Sequence, residues 1–80
     1  MEIKVLGPGC PRCEELRKRT VNVLAEQSIA ADLEKIDDIK QMIAYGILST
    51  PALVINGKVK CAGRVPRPEE IKRWILEEQV

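Results

Sequence analysis

The chain reads as an α/β protein of order βαβαββα, a four-stranded mixed sheet with helices on both faces. Three observations predict this. Two short strand-like segments, Met1–Leu6 and Ala30–Ile36, flank a run with helical spacing, so a crossover joins them and they lie parallel. Asn56-Gly57, the strongest short hairpin signal, stands between Ala52–Ile55 and Lys58–Cys61 and makes that pair antiparallel. The last segment, Glu69–Gln79, returns to helical spacing.

The first strand alternates weakly (Ile3, Val5, Leu6) and is expected to be covered on both faces. Gly7-Pro8-Gly9 breaks it. Pro11 suits the first helical position, where its missing N–H costs nothing, and Glu14 and Glu15 sit favourably in the first turn. Leu16, Thr20, Val23, Leu24 and Gln27 carry this helix to about Gln27. The second strand sets Ala31, Leu33 and Lys35 on one face. Asp37 or Asp38 then caps a short helix holding Ile39, Met42 and Ile43, which Gly46 terminates in a left-handed conformation. Ser49-Thr50-Pro51 forces extended or turning backbone ahead of the third strand. Pro66 and Pro68 punctuate the entry to the final helix, whose apolar stripe is Ile71, Trp74, Ile75 and Leu76.

Eighty residues, 45% of them apolar, are enough for one small domain over positions 1–80 with a modest core. Phe is absent and Tyr and Trp occur once each, so that core must be aliphatic. The net charge of +1 makes no case for nucleic acid or for an anionic membrane. No apolar run approaches the roughly 20 residues of a membrane helix, and the first strand pattern begins at Glu2 without an export signal. The cytosol is therefore the expected compartment. Paired cysteines there are more often catalytic or metal-binding than structural. His is absent, which excludes His-based acid–base catalysis and removes the commonest metal ligand.

The most informative stretch is Cys10-Pro11-Arg12-Cys13, two thiols three residues apart at the start of a helix. They are close enough to close a small disulfide ring. Free backbone N–H groups and the positive end of the helix dipole stabilise a thiolate at that position. Arg12 adds a positive charge between the thiols, and Pro11 limits backbone freedom and favours ring closure. Glu14 and Glu15 oppose the effect of Arg12 but are expected to point into solvent. The competing reading is half a metal site. Structural zinc needs four ligands, whereas this chain offers one further cysteine, Cys61, and no His. A two-residue turn at Asn56-Gly57 would pair Ala52 with Cys61 and bring Cys61 beside Pro51. Cys61 then reads either as a small buried hydrophobe or as an auxiliary thiol or third metal ligand. Arg17-Lys18-Arg19 reads as a solvated helix face, with docking of an acidic partner as the other reading. Met42 and Trp74 fall at core-facing positions, and Ala62-Gly63 either leaves room for a substrate backbone near Pro51 or ends the strand.

Two separated motifs, Gly9-Cys10-Pro11-Arg12-Cys13 and Thr50-Pro51-Ala52-Leu53-Val54-Ile55-Asn56-Gly57, resemble the thioredoxin/glutaredoxin superfamily, in particular its small redox-active disulfide proteins. The element order agrees over essentially the whole chain. The resemblance implies a minimal thioredoxin-like fold and a monomeric thiol–disulfide oxidoreductase. In it Cys10 is the nucleophile, Cys13 resolves the mixed disulfide, and Pro51 is a cis-proline shaping the substrate groove. Thr50 offers backbone hydrogen bonds to an extended substrate, with Pro11, Arg12 and Gly63 lining the groove. It implies no cofactor beyond a Cys10–Cys13 redox disulfide, and as partners disulfide-containing proteins and a thioredoxin-reductase-like electron donor. Two departures stand out. Ile3-Lys4-Val5-Leu6 lacks the buried acid usual in thioredoxins. Ala62-Gly63-Arg64 replaces the glycine pair and acid with which glutaredoxins commonly hold glutathione.

The chief rival is a soft-metal (Cu or Zn) binding module or metallochaperone using Cys10, Cys13 and Cys61. Such modules run strand–helix–strand–strand–helix–strand. The extra helix over Asp38–Tyr45, the helical C-terminus and the Thr50-Pro51 element all depart from that order. A thioredoxin-like fold serving as an iron–sulfur or regulatory thiol module would use the same two cysteines.

Overall fold

In the computed structural model, which describes residues 1–8 and 11–79, the elements follow the expected order. They are β1 (Glu2–Leu6), α1 (Pro11–Glu26), β2 (Asp32–Ile36), α2 (Ile39–Ala44), β3 (Ala52–Ile55), β4 (Lys58–Ala62) and α3 (Pro68–Glu78). The strands lie in the order β2-β1-β3-β4. β1 runs parallel to β2 and antiparallel to β3, and β3 runs antiparallel to β4. The second strand starts at Asp32, two residues later than Ala30, because Ile29 closes the end of α1 by donating its backbone N–H to Leu24 O.

Strand alternation divides the interior into two layers. Ile3, Val5, Leu53 and Ile55 face α1 and α3, where Leu16, Val23, Leu24, Ile71 and Ile75 meet them. Leu6, Ile36, Ala52 and Val54 face the other way and pack with Met42 and Ile47. β3 is buried at all four positions, as an apolar strand covered on both faces must be. Trp74 packs partly buried against the larger layer, while Leu76 lies on the solvent side of α3. Of the apolar residues in α2, only Met42 is buried; six residues give less than two turns and turn one narrow face inward.

The helix ends follow local chemistry. Asp38 caps α2 by accepting the Lys40 N–H at 2.9 Å. At the other end Gly46 (φ +73°) donates to Ile43 O and Ile47 to Met42 O, a left-handed cap in which Ile47 also packs near Met42. α1 ends in the same way, but with Ser28 in the left-handed position (φ +53°): Ser28 donates to Ala25 O and Ile29 to Leu24 O. Asn56 and Gly57 both take positive φ, as a two-residue hairpin turn requires.

One expected pairing is corrected. Ile55 faces Lys58 and Val54 faces Val59, but Leu53 faces Cys61 and Ala52 faces Ala62, so Cys61 does not pair with Ala52. A bulge inserts one residue into β4. It lets neighbouring side chains serve the same face: Lys60 reaches Glu78 of α3 at 3.0 Å, and Cys61 turns into the protein.

Two stability measurements test these local assignments. A serine at left-handed φ carries a penalty that glycine does not, so Ser28→Gly should raise the unfolding free energy by about 0.5–1 kcal/mol in urea titration. An unchanged or lowered midpoint would contradict the cap. Glu14, Glu70 and Glu78 are held below the ordinary carboxylate value by Lys35 and Arg17, by Arg64, and by Lys60 and Lys58 respectively. The unfolded chain therefore takes up protons first on acidification. Their contribution is complete above the ordinary value of 4.5 and disappears as pH falls through the lower folded values. The urea midpoint should fall between about pH 5 and pH 3, less so in high salt. A flat profile would show that these ion pairs contribute nothing.

Candidate active site

The first turn of α1, the Thr50-Pro51 segment and the end of β4 converge where β1 ends. The register makes this unavoidable: Leu6 pairs with Ala52, so Gly7 and Pro51 emerge side by side from neighbouring strands. Cys10, the expected nucleophile, lies outside the described residues with Gly9 and Val80. Cys13, at the third position of α1, is 2% exposed. Pro11 and Arg12 beside it are exposed.

Gly7 makes this arrangement possible. A methyl group at its Cα would overlap Cys13 Sγ and stand 3.7 Å from Thr50 Cβ. The Cys13 thiol therefore occupies the volume a side chain would take at position 7. Gly7 also donates its N–H to Ile36 O at 2.8 Å, which holds it to the end of β2. The turn Gly7-Pro8-Gly9 accounts for a glycine there without reference to Cys13. The available signal was a glycine at a strand end, facing a helix that starts a few residues later.

The Thr50–Pro51 peptide bond is cis, as the resemblance implies. Pro51 is buried and Thr50 half-buried at its edge. Pro51 O accepts the Gly63 N–H at 2.9 Å, and Arg12 Nη2 donates to Gly63 O at 3.2 Å. Gly63 thus joins the first turn of α1 to the proline segment through both of its backbone polar groups. Its φ of +86° favours glycine, and a Cβ there would meet Ser49 Cβ at 3.0 Å. Pro11, Arg12, Cys13, Thr50, Pro51 and Gly63 are therefore brought to one end of the sheet, with Gly7 and Ser49 as members not singled out from the sequence.

The carboxylates after the motif do not simply point into solvent. Glu14 accepts from Lys35 Nζ and from Arg17 Nε, each at 3.2 Å, and Glu15 accepts from Arg19 Nε at 3.1 Å. Arg19 also donates to Pro66 O at 2.8 Å and so ties α1 to the approach of α3. Lys4, where thioredoxins usually carry an acid nearby, donates to the Tyr45 hydroxyl at 3.0 Å with its ammonium 5.5 Å from the ring centre, an interaction that raises its pKa.

Cys61 belongs to the core. It is 7% exposed, its Sγ donates to Arg64 O at 3.3 Å, and burial pushes its thiol up from the ordinary value. A thiol that stays protonated is a poor nucleophile and a poor metal ligand. Among the described residues, no group of three or more Cys, Asp or Glu gathers to hold a metal ion.

Two measurements follow from this packing. Gly7→Ala should cost about 1–3 kcal/mol of stability, since the methyl and Cys13 Sγ compete for one volume. Equal stability of the variant and the parent would refute the close approach. In native protein at neutral pH, iodoacetamide should leave Cys61 unmodified, with labelling by mass spectrometry only after urea is added. Rapid native labelling would overturn the buried assignment.

Comparison with known proteins agrees with this architecture. The Thioredoxin domain family model matches residues 1–76. A thioredoxin of Methanothermobacter thermautotrophicus is 37% identical over 73 residues, covering 91% of this chain and 95% of that protein. A thioredoxin of Methanocaldococcus jannaschii is 30% identical over 70 residues, covering 88% and 80%. An uncharacterized 9.0 kDa protein of Acidithiobacillus ferrooxidans is 32% identical over 77 residues, covering 91% and 89%. With a family match along nearly its whole length and relatives at 30–37% identity covered over most of both chains, the chain belongs to the thioredoxin family.

Proposed function

We propose that the protein is a thiol–disulfide oxidoreductase that reduces protein disulfides or relays electrons through a Cys10–Cys13 dithiol. The observation that carries this reading is buried Cys13, whose Sγ fills the space beside Gly7 Cα that Thr50, of the cis Thr50–Pro51 bond, also borders. A resolving thiol needs such a position, inside the rim and shielded from external disulfides.

In the proposed reaction the Cys10 thiolate attacks one sulfur of a substrate disulfide. A Cys10–substrate mixed disulfide forms, and the other substrate sulfur leaves as a thiolate that takes a proton from solvent. Cys13 then loses its proton and attacks Cys10 Sγ. The Cys10–Cys13 disulfide forms and the second substrate thiol departs. Two electrons have passed to the substrate, and a thioredoxin-reductase-like donor returns them. Arg12 and the start of α1 favour the Cys10 thiolate. Pro51 shapes the groove, and Thr50 offers its backbone to an extended substrate segment. No further cofactor enters this scheme. The same reading places the protein in the cytosol as a monomer. Among the described residues, no helix is long and apolar enough to cross a membrane.

The reduction potential of the pair tests the proposal directly. Metal-free protein equilibrated with dithiothreitol and alkylated for mass analysis should show one two-electron transition, in the range of about −270 to −200 mV found for thioredoxins and glutaredoxins. Cys10→Ser should abolish insulin reduction, whereas Cys13→Ser should accumulate a mixed disulfide with the substrate. Turnover retained by Cys10→Ser would refute the assignment of roles. Failure to form the disulfide, with a bound metal protecting both thiols, would move the reading to a soft-metal binding module.

A further inference from the structure

Arg12 lies between Cys10 and Cys13 in the sequence, and its partner among the described residues is a neutral carbonyl, Gly63 O at 3.2 Å. The acids within its sequence neighbourhood are committed elsewhere: Glu14 to Lys35 and Arg17, Glu15 to Arg19. The Glu70 carboxylate, at the start of α3, is held by Arg64 at 2.6 Å. The charge of Arg12 is therefore not offset by these neighbouring carboxylates. Its guanidinium is also located: Gly63 is bonded to Pro51 O, so an extended segment lying along Thr50-Pro51 towards Cys13 passes it.

From this we infer that Arg12 determines specificity, favouring substrate polypeptides that carry a carboxylate beside the disulfide. The inference rests on the oxidoreductase reading and adds the class of substrate. A guanidinium has five donors in a planar fork, and a carboxylate accepts two of them in parallel. Exchanging an exposed carbonyl acceptor for a carboxylate gains a charge-assisted bond, roughly twice as strong as a neutral one. The exchange is inexpensive, because the Arg12–Gly63 bond lies at the surface and Gly63 O can turn to water. A basic residue at the same place in a substrate would meet Arg12 without the screening that Glu14 and Glu15 could otherwise supply.

The test uses reduced protein freed of reductant and mixed with excess peptide disulfides that are identical except for one Glu, Ala or Lys beside the cysteine. Acid quench and mass spectrometry give the second-order rate constant and the half-saturating concentration. The wild-type rate constant should be about three- to five-fold higher for the Glu peptide than for the Ala peptide, through tighter half-saturation, and lower for Lys. Salt should compress these ratios towards one. Arg12→Gln should bring the Glu/Ala ratio to about one, Arg12→Glu should invert it, and Arg12→Lys should retain part of it. Each ratio is taken within one variant, so altered reactivity of Cys10 cancels. Equal rates for the three peptides in wild type, or a Glu/Ala ratio unchanged in Arg12→Gln, would overturn the inference while leaving the oxidoreductase reading intact. No reduction of any peptide by wild type would remove that reading and the inference with it.

Discussion

The antiparallel register of β1 with β3 is the constraint on which the molecule depends. Both strands are interior to the sheet and carry apolar side chains on both faces. A slip of one residue would move every side chain to the wrong layer, sending Leu53 and Ile55 towards α2 and Val54 towards α1. The same register sets Leu6 opposite Ala52 and so places the residues just beyond, Gly7 and Pro51, at one edge of the sheet. Core packing and site assembly are thus one requirement.

The interior explains how so small a chain meets it. Among the described residues, nine buried aliphatic side chains form the larger layer and six buried apolar ones the smaller, with no phenylalanine available to either. Truncating a buried Leu or Ile to Ala costs about 2–5 kcal/mol. A surface ion pair contributes about 0–1 kcal/mol. Burial therefore decides the fold, and the ion pairs trim it. Those between Lys58, Lys60 and Glu78 tie the hairpin edge to the end of α3, and Arg19 ties α1 to Pro66. The β4 bulge belongs to this arrangement, since it lets Lys60 meet α3 while Cys61 enters the core.

Electrostatics act more locally. The first two turns of α1 contain nearly equal numbers of acids and bases, which would suggest a neutral surface. Spatial pairing changes that outcome. Glu14 bridges to β2 and to Arg17, Glu15 holds Arg19, and Arg12 is directed instead to a backbone carbonyl beside the proline segment. Positive charge is thereby kept at the dithiol end of the helix, where its dipole already favours an anion.

Much of the architecture was readable from local patterns. The weak alternation of β1, the unbroken apolar run of β3, the Asn56-Gly57 turn, an aspartate cap at Asp37 or Asp38, Gly46 and the proline-led entry to α3 each express short-range sterics, burial or hydrogen bonding that the chain carries with it. The dithiol and Thr50-Pro51 stood out for the same reason, because their chemistry lies in contiguous residues. The role of Gly7 as space for Cys13, the bulge that moved Cys61 from Ala52 to Leu53, and the junction of Arg12, Gly63 and Pro51 did not. These links join residues across the turn that leads into α1, across the β3–β4 hairpin, and across half the chain. Their meeting is decided by excluded volume and backbone pairing across the assembled sheet, which no local pattern encodes.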